Sequence, residues 1–226
     1  MLLSKIIYNI KNLMAGGLES DDQDFSNKQL AFIIGYYRAR FLKQDQEKGR
    51  SSNALYVQNL GRVPVIKADK NECCDIDACI LRTSTKIPLP LETFKGLNLT
   101  FIGTSNGMPY QRTYHNAAIW KKASKWTKSD PQWYYQNGYI YLIDPSSIMI
   151  SHINIQGIFE SPEEAISYRT CDCDNDEDCF DSYDFEYPMP SHYGDALVKM
   201  IAESELRILH SILPDSLNDS VDQQIA

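Results

Sequence analysis

Three cysteines and seven carboxylates lie between residues 171 and 184, and these residue types bind metal ions. A calcium-binding EF-hand loop that began at Asp172 would need a glycine at its sixth position and a bidentate glutamate at its twelfth. The sequence has Glu177 and Tyr183 at those positions. The segment therefore does not match a calcium loop of that type.

Zinc is the other metal that this composition suggests. Cys173 and Cys179 could meet Cys73 and Cys79 as a four-thiolate site, which is a common structural zinc centre. Neither cluster has the Cys-x2-Cys spacing that makes such an assignment specific, and the adjacent cysteines at 73 and 74 fit tetrahedral geometry poorly. We favour a solvent-exposed acidic loop with reduced thiols, no metal and no cofactor, and keep zinc as the alternative.

A serine nucleophile is suggested by Gly103-Thr-Ser-Asn-Gly107, which has the Gly-x-Ser-x-Gly pattern of α/β-hydrolases and follows a predicted strand. In that fold a helix must follow the serine at once, but Met108-Pro109 interrupts the chain here. A turn at Asn106-Gly107 explains the same residues. An esterase built on Ser105 is the weaker hypothesis, and its base would come from one of three histidines: His152, His192 and His210.

The charge of the chain is uneven. The 226 residues carry a formal net charge of −8, yet outside residues 171–184 the acids and bases nearly balance. Proteins that bind nucleic acid non-specifically need clustered Lys and Arg, so nucleic acid is not predicted to be a direct binding partner. No apolar run reaches the roughly 20 residues of a membrane span, and no secretion signal is recognised. We expect a soluble protein made in the cytoplasm, with its cysteines reduced.

Helices are predicted at both ends of the chain. Apolar residues recur at spacings of three and four over residues 3–14, with Leu13 included in the stripe. A second helix starts where Ser26 and Gln29 form a capping box and where Phe25 can pack on Leu30. Gly35 in this helix allows a neighbouring helix to approach closely. The last helix is predicted from residue 191 to about 213.

The middle of the chain has the alternation and turn residues of β-structure. Asn137-Gly138 suits a type I′ turn between two aromatic strands, and Ser161 with Pro162 begins a short helix. The predicted strands are 55–60, 63–68, 80–84, 97–102, 133–136, 139–143 and 148–159.

These elements predict an α+β fold in which N- and C-terminal helices flank a central β-rich region with hairpins. The predicted segments are a helical region over residues 1–50, a β-rich domain over 51–190 that contains the acidic loop 169–184, and a C-terminal helix and tail over 191–226. The acidic loop and the tail beyond Pro214 are expected to be disordered in the free protein, since both are polar and acidic.

The order of the segments resembles that of virion structural proteins of crAss-like Bacteroides phages, in particular the head-to-tail ring or adaptor proteins of short-tailed phages. The resemblance covers most of the chain and contains no catalytic signature. It rests on residues 24–42, 56–60, 139–143, 153–164, 187–190, 202–206 and 214–218.

The resemblance implies a structural subunit that is not an enzyme. Such subunits form a ring of typically twelve copies between the portal and the tail, contact the portal and adjacent tail or ring proteins, and let genomic DNA pass without binding it specifically. The expected location is the neck of the virion. The C-terminal tail is then the expected partner-binding segment, through Pro214, Asp215, Leu217, Asn218, Val221 and Ile225.

Overall fold

The structure is a computed structural model, which describes residues 1–14, 26–49, 54–69, 80–117, 120, 130–143, 150–170 and 183–206. The chain groups into two compact units. The first contains residues Met1–Arg38 and Tyr183–Ala226, and the second contains Ala39–Ser182. Helices lie at both ends of the chain and a mixed β-sheet lies between them in sequence, which confirms the predicted α+β class.

The described helices are α1 (Leu3–Met14), α2 (Asn27–Glu47), α3 (Pro162–Thr170) and α4 (Ser191–Ile201), with a 3-10 turn at Ala54–Tyr56 and a π-helical turn at Ala202–Leu206. The described strands are β1 (Gln58–Lys67), β2 (Ile80–Thr83), β3 (Glu92–Thr93), β4 (Gly96–Leu97), β5 (Leu99–Thr104), β6 (Gln111–Arg112), β7 (Gln132–Gln136), β8 (Tyr139–Ile143) and β9 (His152–Gly157).

In the first unit, a segment from the far end of the chain holds the start of α1. The backbone N–H of Leu3 donates to the carbonyl of Phe185 at 3.2 Å, and that of Ser4 donates to Tyr183 at 2.9 Å. The N–H of Tyr187 donates in turn to Met1 at 2.8 Å. The first amides of a helix have no partner within the helix, so these bonds satisfy groups that would otherwise need water.

Arg38 is the largest side chain that is fully buried in the described residues. Its Nε and Nη2 both donate to the carbonyl oxygen of Pro188 at 3.3 Å, and its guanidinium lies 5.6 Å from the centre of the Tyr187 ring. Burying a cation is costly unless it has hydrogen-bond partners. The residue therefore fixes the 183–189 segment against α2.

Helix α2 begins as predicted. The N–H of Gln29 donates to Ser26 Oγ at 3.2 Å, and the N–H of Ser26 donates to Gln29 Oε1 at 3.0 Å. The capping box is confirmed. The predicted packing of Phe25 on Leu30 lies outside the described residues.

In the second unit, seven strands form one sheet in the order β5-β9-β1-β2-β8-β7-β6. Neighbouring strands are antiparallel except β6 and β7, which are parallel. Because all but one of the described strand pairs are antiparallel, the sheet is not the parallel sheet of an α/β-hydrolase.

Strand β1 corrects one prediction. Residues 55–60 and 63–68 were predicted as two strands, but β1 continues through Gly61, which has a φ of 76°. The register shifts between Asn59 and Arg62 against β9, and Asn59 Oδ1 accepts the N–H of Gly61 at 2.9 Å. This β-bulge breaks the alternation of inward and outward side chains but does not end the strand. The sequence pattern therefore suggests two strands where the structure has one.

The β7–β8 hairpin is confirmed. Asn137 and Gly138 have φ values of 54° and 88°, as a type I′ turn requires. Tyr134 lies opposite Tyr141 across the strands, and their rings stack at 5.0 Å. Trp133 packs on the opposite face of the hairpin, in the main core. The buried residues of this main core include Leu60, Val63, Ile102, Ile140, Leu142, Ile153, Ile155 and Phe159.

Helix α3 packs on β1. Ser161 Oγ accepts the N–H of Glu164 at 3.4 Å, which confirms the predicted cap. Ala165 is buried in the main core, and the hydroxyl of Tyr168 lies 2.7 Å from that of Thr85. Helix α4 starts at Ser191 as predicted but gives way after Ile201 to the π-helical turn, and the remainder of the predicted helix lies outside the described residues.

Candidate assembly surfaces

The cysteines predicted as alternative zinc ligands, Cys73, Cys79, Cys173 and Cys179, all lie outside the described residues. Over the described ranges, no group of three or more His, Cys, Asp or Glu side chains could hold a metal ion. The zinc hypothesis therefore stays a prediction, and so does the acidic loop that carries two of these cysteines.

The structure places Ser105 in a turn and not at a hydrolase elbow. The backbone N–H of Thr104 donates to the carbonyl of Met108 at 3.0 Å, and Gly107 has a φ of 84°. The chain then returns along β5, with Pro109 paired to Gly103. The turn interpretation is confirmed, and the strand-turn-helix that would activate a serine is absent at this position.

No hydrogen bond joins Ser105 to His152 among the described residues. His152 is exposed on β9 and its Nδ1 lies 2.9 Å from Ser151 Oγ. His192 has no described side chain and His210 lies outside the described residues. The ring of His115 packs edge-on against Tyr134 at 5.4 Å.

An exposed aromatic row runs along α2. Phe32 is 75% exposed and Tyr36, one turn later, is 57% exposed. Gly35 lies between them, and a Cβ built there would meet no atom within 4 Å. We call Lys28, Phe32, Gly35 and Tyr36 the α2 face. Large aromatic side chains are enriched in protein interfaces, and glycine lets another backbone approach closely.

Helical geometry explains the α2 face. The buried side chains of this helix include Leu30, Ile34 and Tyr37, and the α2 face lies on the opposite side. Phe32 and Tyr36 were not predicted as surface residues from the sequence. Their spacing of four, outside the buried side of the helix, is the signal that could have found them.

An acidic patch lies at the start of α3, formed by Glu92, Glu160, Glu163 and Glu164. Partial burial raises the pKa of Glu160, while nearby Lys43 lowers that pKa and the carboxylates of Glu92 and Glu164 raise it. Burial also raises the pKa of Glu163, and Glu164 raises it further. No ion pair to these four carboxylates is present among the residues that the structure describes. The patch is a surface that a cationic partner would stabilise.

A groove of about 810 Å³ lies beside α1 and α4. Leu13, Val198 and Ala202 form its apolar wall, and its polar lining comes from Asn9, Asn12, Asp195 and Lys199. The sequence placed Leu13 in the apolar stripe of α1, and the helix is confirmed, but the Leu13 side chain is 58% exposed. Leu13 lies in the last turn of α1, where it lines this open groove.

The six predicted partner-binding residues, Pro214, Asp215, Leu217, Asn218, Val221 and Ile225, lie outside the described residues. Their role stays a prediction. Within the part of the chain that the structure describes, no helix has both the length and the apolar content that a membrane crossing requires.

Comparison with known proteins agrees with the resemblance drawn from the sequence. No curated protein matches the chain. The family of crAss-like phage proteins described as phage tail ring protein 2 matches residues 5–224, which is nearly the whole chain. The chain therefore belongs to the phage tail ring protein 2 family.

Proposed function

We propose that this protein forms a closed ring of identical copies that connects the portal to the tail in the neck of a short-tailed phage. The family match over residues 5–224 is the observation that carries the proposal, because it gives a structural tail-ring role. Twelve copies, a portal neighbour and passage of genomic DNA through the channel are the finer parts of the proposal. Synthesis in the host cytoplasm and assembly into the virion follow from the same role.

The surfaces support a head-to-tail ring. A closed ring needs two different patches on each copy, because each subunit contacts one neighbour with one patch and the other neighbour with the second. The α2 face carries Lys28 and is continued one helical turn later by exposed Arg40. The acidic patch carries the opposite charge. Opposite charges on two patches of the same chain favour association between copies and set its orientation.

The charge of the whole chain gives a second reason for pairing these patches. At −8 per copy, twelve copies would repel one another unless acidic surfaces meet basic ones. A contact between the α2 face and the acidic patch reduces this repulsion at every interface. Because salt screens exposed charges, the attraction between these two patches weakens as ionic strength rises.

A charge-exchange experiment tests this arrangement. One variant carries Lys28→Glu with Arg40→Glu, and the other carries Glu92→Lys, Glu160→Lys and Glu164→Lys, which leaves the acidic patch with a net positive charge. Each variant alone brings like charges together at every contact, so neither should form a ring. An equimolar mixture restores opposite charges at both contacts of an alternating ring, which closes only with an even number of copies.

Mass photometry of the purified proteins gives the readout. Rings from the mixture and not from either variant support the proposal. Rings from either variant alone contradict the pairing of these patches, and a wild-type monomer contradicts the ring itself. The matched control is Lys67→Glu on β1, an exposed charge outside both patches, which should assemble normally.

The C-terminal tail is proposed to order on an adjacent protein. Deleting residues 214–226 should leave the fold intact, since the segment is polar and acidic, and should weaken docking to the next ring or to the portal. A truncated protein that docks as well as the full chain would remove the tail from this role.

A further inference from the structure

The groove beside α1 and α4 presents apolar surface that the described residues of its unit leave exposed. Leu13 continues the apolar stripe of Leu3, Ile6, Ile7 and Ile10, which are all buried, yet Leu13 is more than half exposed. An apolar residue in register with a buried stripe indicates a missing partner more specifically than a scattered surface leucine does.

The chemistry of the groove suits a peptide. Its volume of about 810 Å³ is enough for several aliphatic side chains. Asn9 and Asn12 offer side-chain amides that can bond to a peptide backbone, and Lys199 offers a cation, although Glu203 already lies 3.8 Å from it. An amphipathic segment that binds in a groove inserts apolar side chains at helical spacing and keeps its polar ones at the rim.

The chain beyond the last described residue has this pattern. Leu213, Leu217, Val221 and Ile225 follow one another at spacings of four, which would place them on one face of a helix. Asp215, Asp219 and Asp222 lie between them and give the segment an acidic character, which Lys199 at the groove rim favours and Asp195 opposes.

The length of this segment permits exchange between copies. Ala202 lines the groove and the described chain ends at Leu206, so the segment 207–226 leaves the fold beside the groove. Fully extended, the segment 207–226 spans up to about 65 Å, whereas a compact protein with the length of the whole chain has a radius of gyration of about 17 Å. It is therefore long enough to cross a subunit boundary.

We infer that the groove beside α1 and α4 binds residues 207–226 of the neighbouring copy, with Leu217, Val221 and Ile225 packing on Leu13, Val198 and Ala202. This inference rests on the proposed ring, because it needs a neighbour. In this inference the adjacent protein on which the tail orders is the neighbouring copy in the ring, not the portal or the next ring, and each subunit is linked to the next by an exchanged arm.

Photo-crosslinking of the full-length protein tests the inference. Benzoylphenylalanine replaces Leu13 in the groove, and Tyr8 in a matched control protein. Both side chains lie on α1 and are 58% and 56% exposed, but only Leu13 lines the groove. Protein labelled with heavy nitrogen is mixed with unlabelled protein before assembly, the mass of the assembly is measured, and cross-linked peptides are identified by mass spectrometry.

The expected result is a ring in which position 13 cross-links to peptides from residues 207–226 in heavy-light hybrids, while position 8 does not. Replacing Leu217, Val221 and Ile225 by Asp should reduce that cross-link at least about tenfold, since losing even one buried aliphatic contact costs more than the 1.4 kcal/mol of a tenfold change.

Other outcomes overturn the inference in distinguishable ways. A ring with cross-links only between peptides of the same label shows that each tail fills its own groove. A ring whose position 13 cross-links to other segments, or to none, removes the tail from the groove and leaves the proposed function standing. A monomeric protein overturns the exchange and the ring together.

Discussion

Replacing Gly35 by alanine separates the stability of α2 from the assembly of the ring. Glycine within a helix costs about 0.5–1 kcal/mol relative to alanine, because it loses more backbone entropy on folding. A Cβ at position 35 would meet no atom within 4 Å, so the isolated subunit can accept the methyl group without strain. We expect the melting temperature of the unassembled subunit to rise by about 1–4 °C.

The same methyl group should oppose assembly if a neighbour packs closely on the α2 face. Forcing one extra carbon into a packed contact costs about 1–3 kcal/mol, which weakens each interface by about 5- to 150-fold. A more stable subunit that assembles less well cannot be explained by misfolding.

Differential scanning fluorimetry under dissociating salt measures the first effect, and mass photometry across a concentration series measures the second. Gln44→Ala is the control, since Gln44 is exposed on α2 but lies away from the Phe32–Tyr36 row. If Gly35→Ala raises stability and assembles normally, close approach at the α2 face is wrong. If it lowers the melting temperature of the subunit, the account of its local environment is wrong.

Three further predictions concern the fold. Arg38→Ala should lower the free energy of unfolding, measured by chemical denaturation, by about 3–5 kcal/mol. The change empties a fully buried site and leaves the carbonyl of Pro188 without its donor. An effect under about 1 kcal/mol would refute the anchoring role of Arg38. Glu163 has a pKa above its ordinary value of 4.5, so its ionisation lowers stability as pH rises through that range. Glu163→Gln should therefore raise the melting temperature more at pH 7 than at pH 4, and an equal shift at both would contradict the pKa argument. Gly103→Ala should destabilise the protein, since its Cβ would collide with the carbonyl oxygen of Met108. Gly107→Asn should cost little, because the surroundings of Gly107 are open and asparagine tolerates a positive φ. Thermal melts in which Gly107→Asn is the more destabilising of the two would contradict this geometry.

Local signals were sufficient for several parts of the structure. The capping box at Ser26, the Asn137-Gly138 turn and the start of α3 depend on interactions within three or four residues, and all three are confirmed. The α+β class also follows from local periodicity. The resemblance to phage ring proteins was carried by the order of segments, and the family match confirms it.

Tertiary structure decided which apolar residues are covered. The periodicity of α1 treats Leu13 like Ile10, but only the packing of the other elements leaves Leu13 in an open groove. The same is true of β1, where a bulge at Gly61 joins two predicted strands into one. The acidic patch was not predicted either, because Glu92 meets Glu160 through the fold and not through sequence spacing.

The sequence by itself determined the helices, the turns and the family of this protein, since these depend on short-range geometry and on the order of segments. The groove beside α1 and α4 and the clustering of carboxylates at α3 were decided by tertiary structure. Burial and charge proximity depend on distances between residues far apart in the chain, and a linear pattern does not contain those distances.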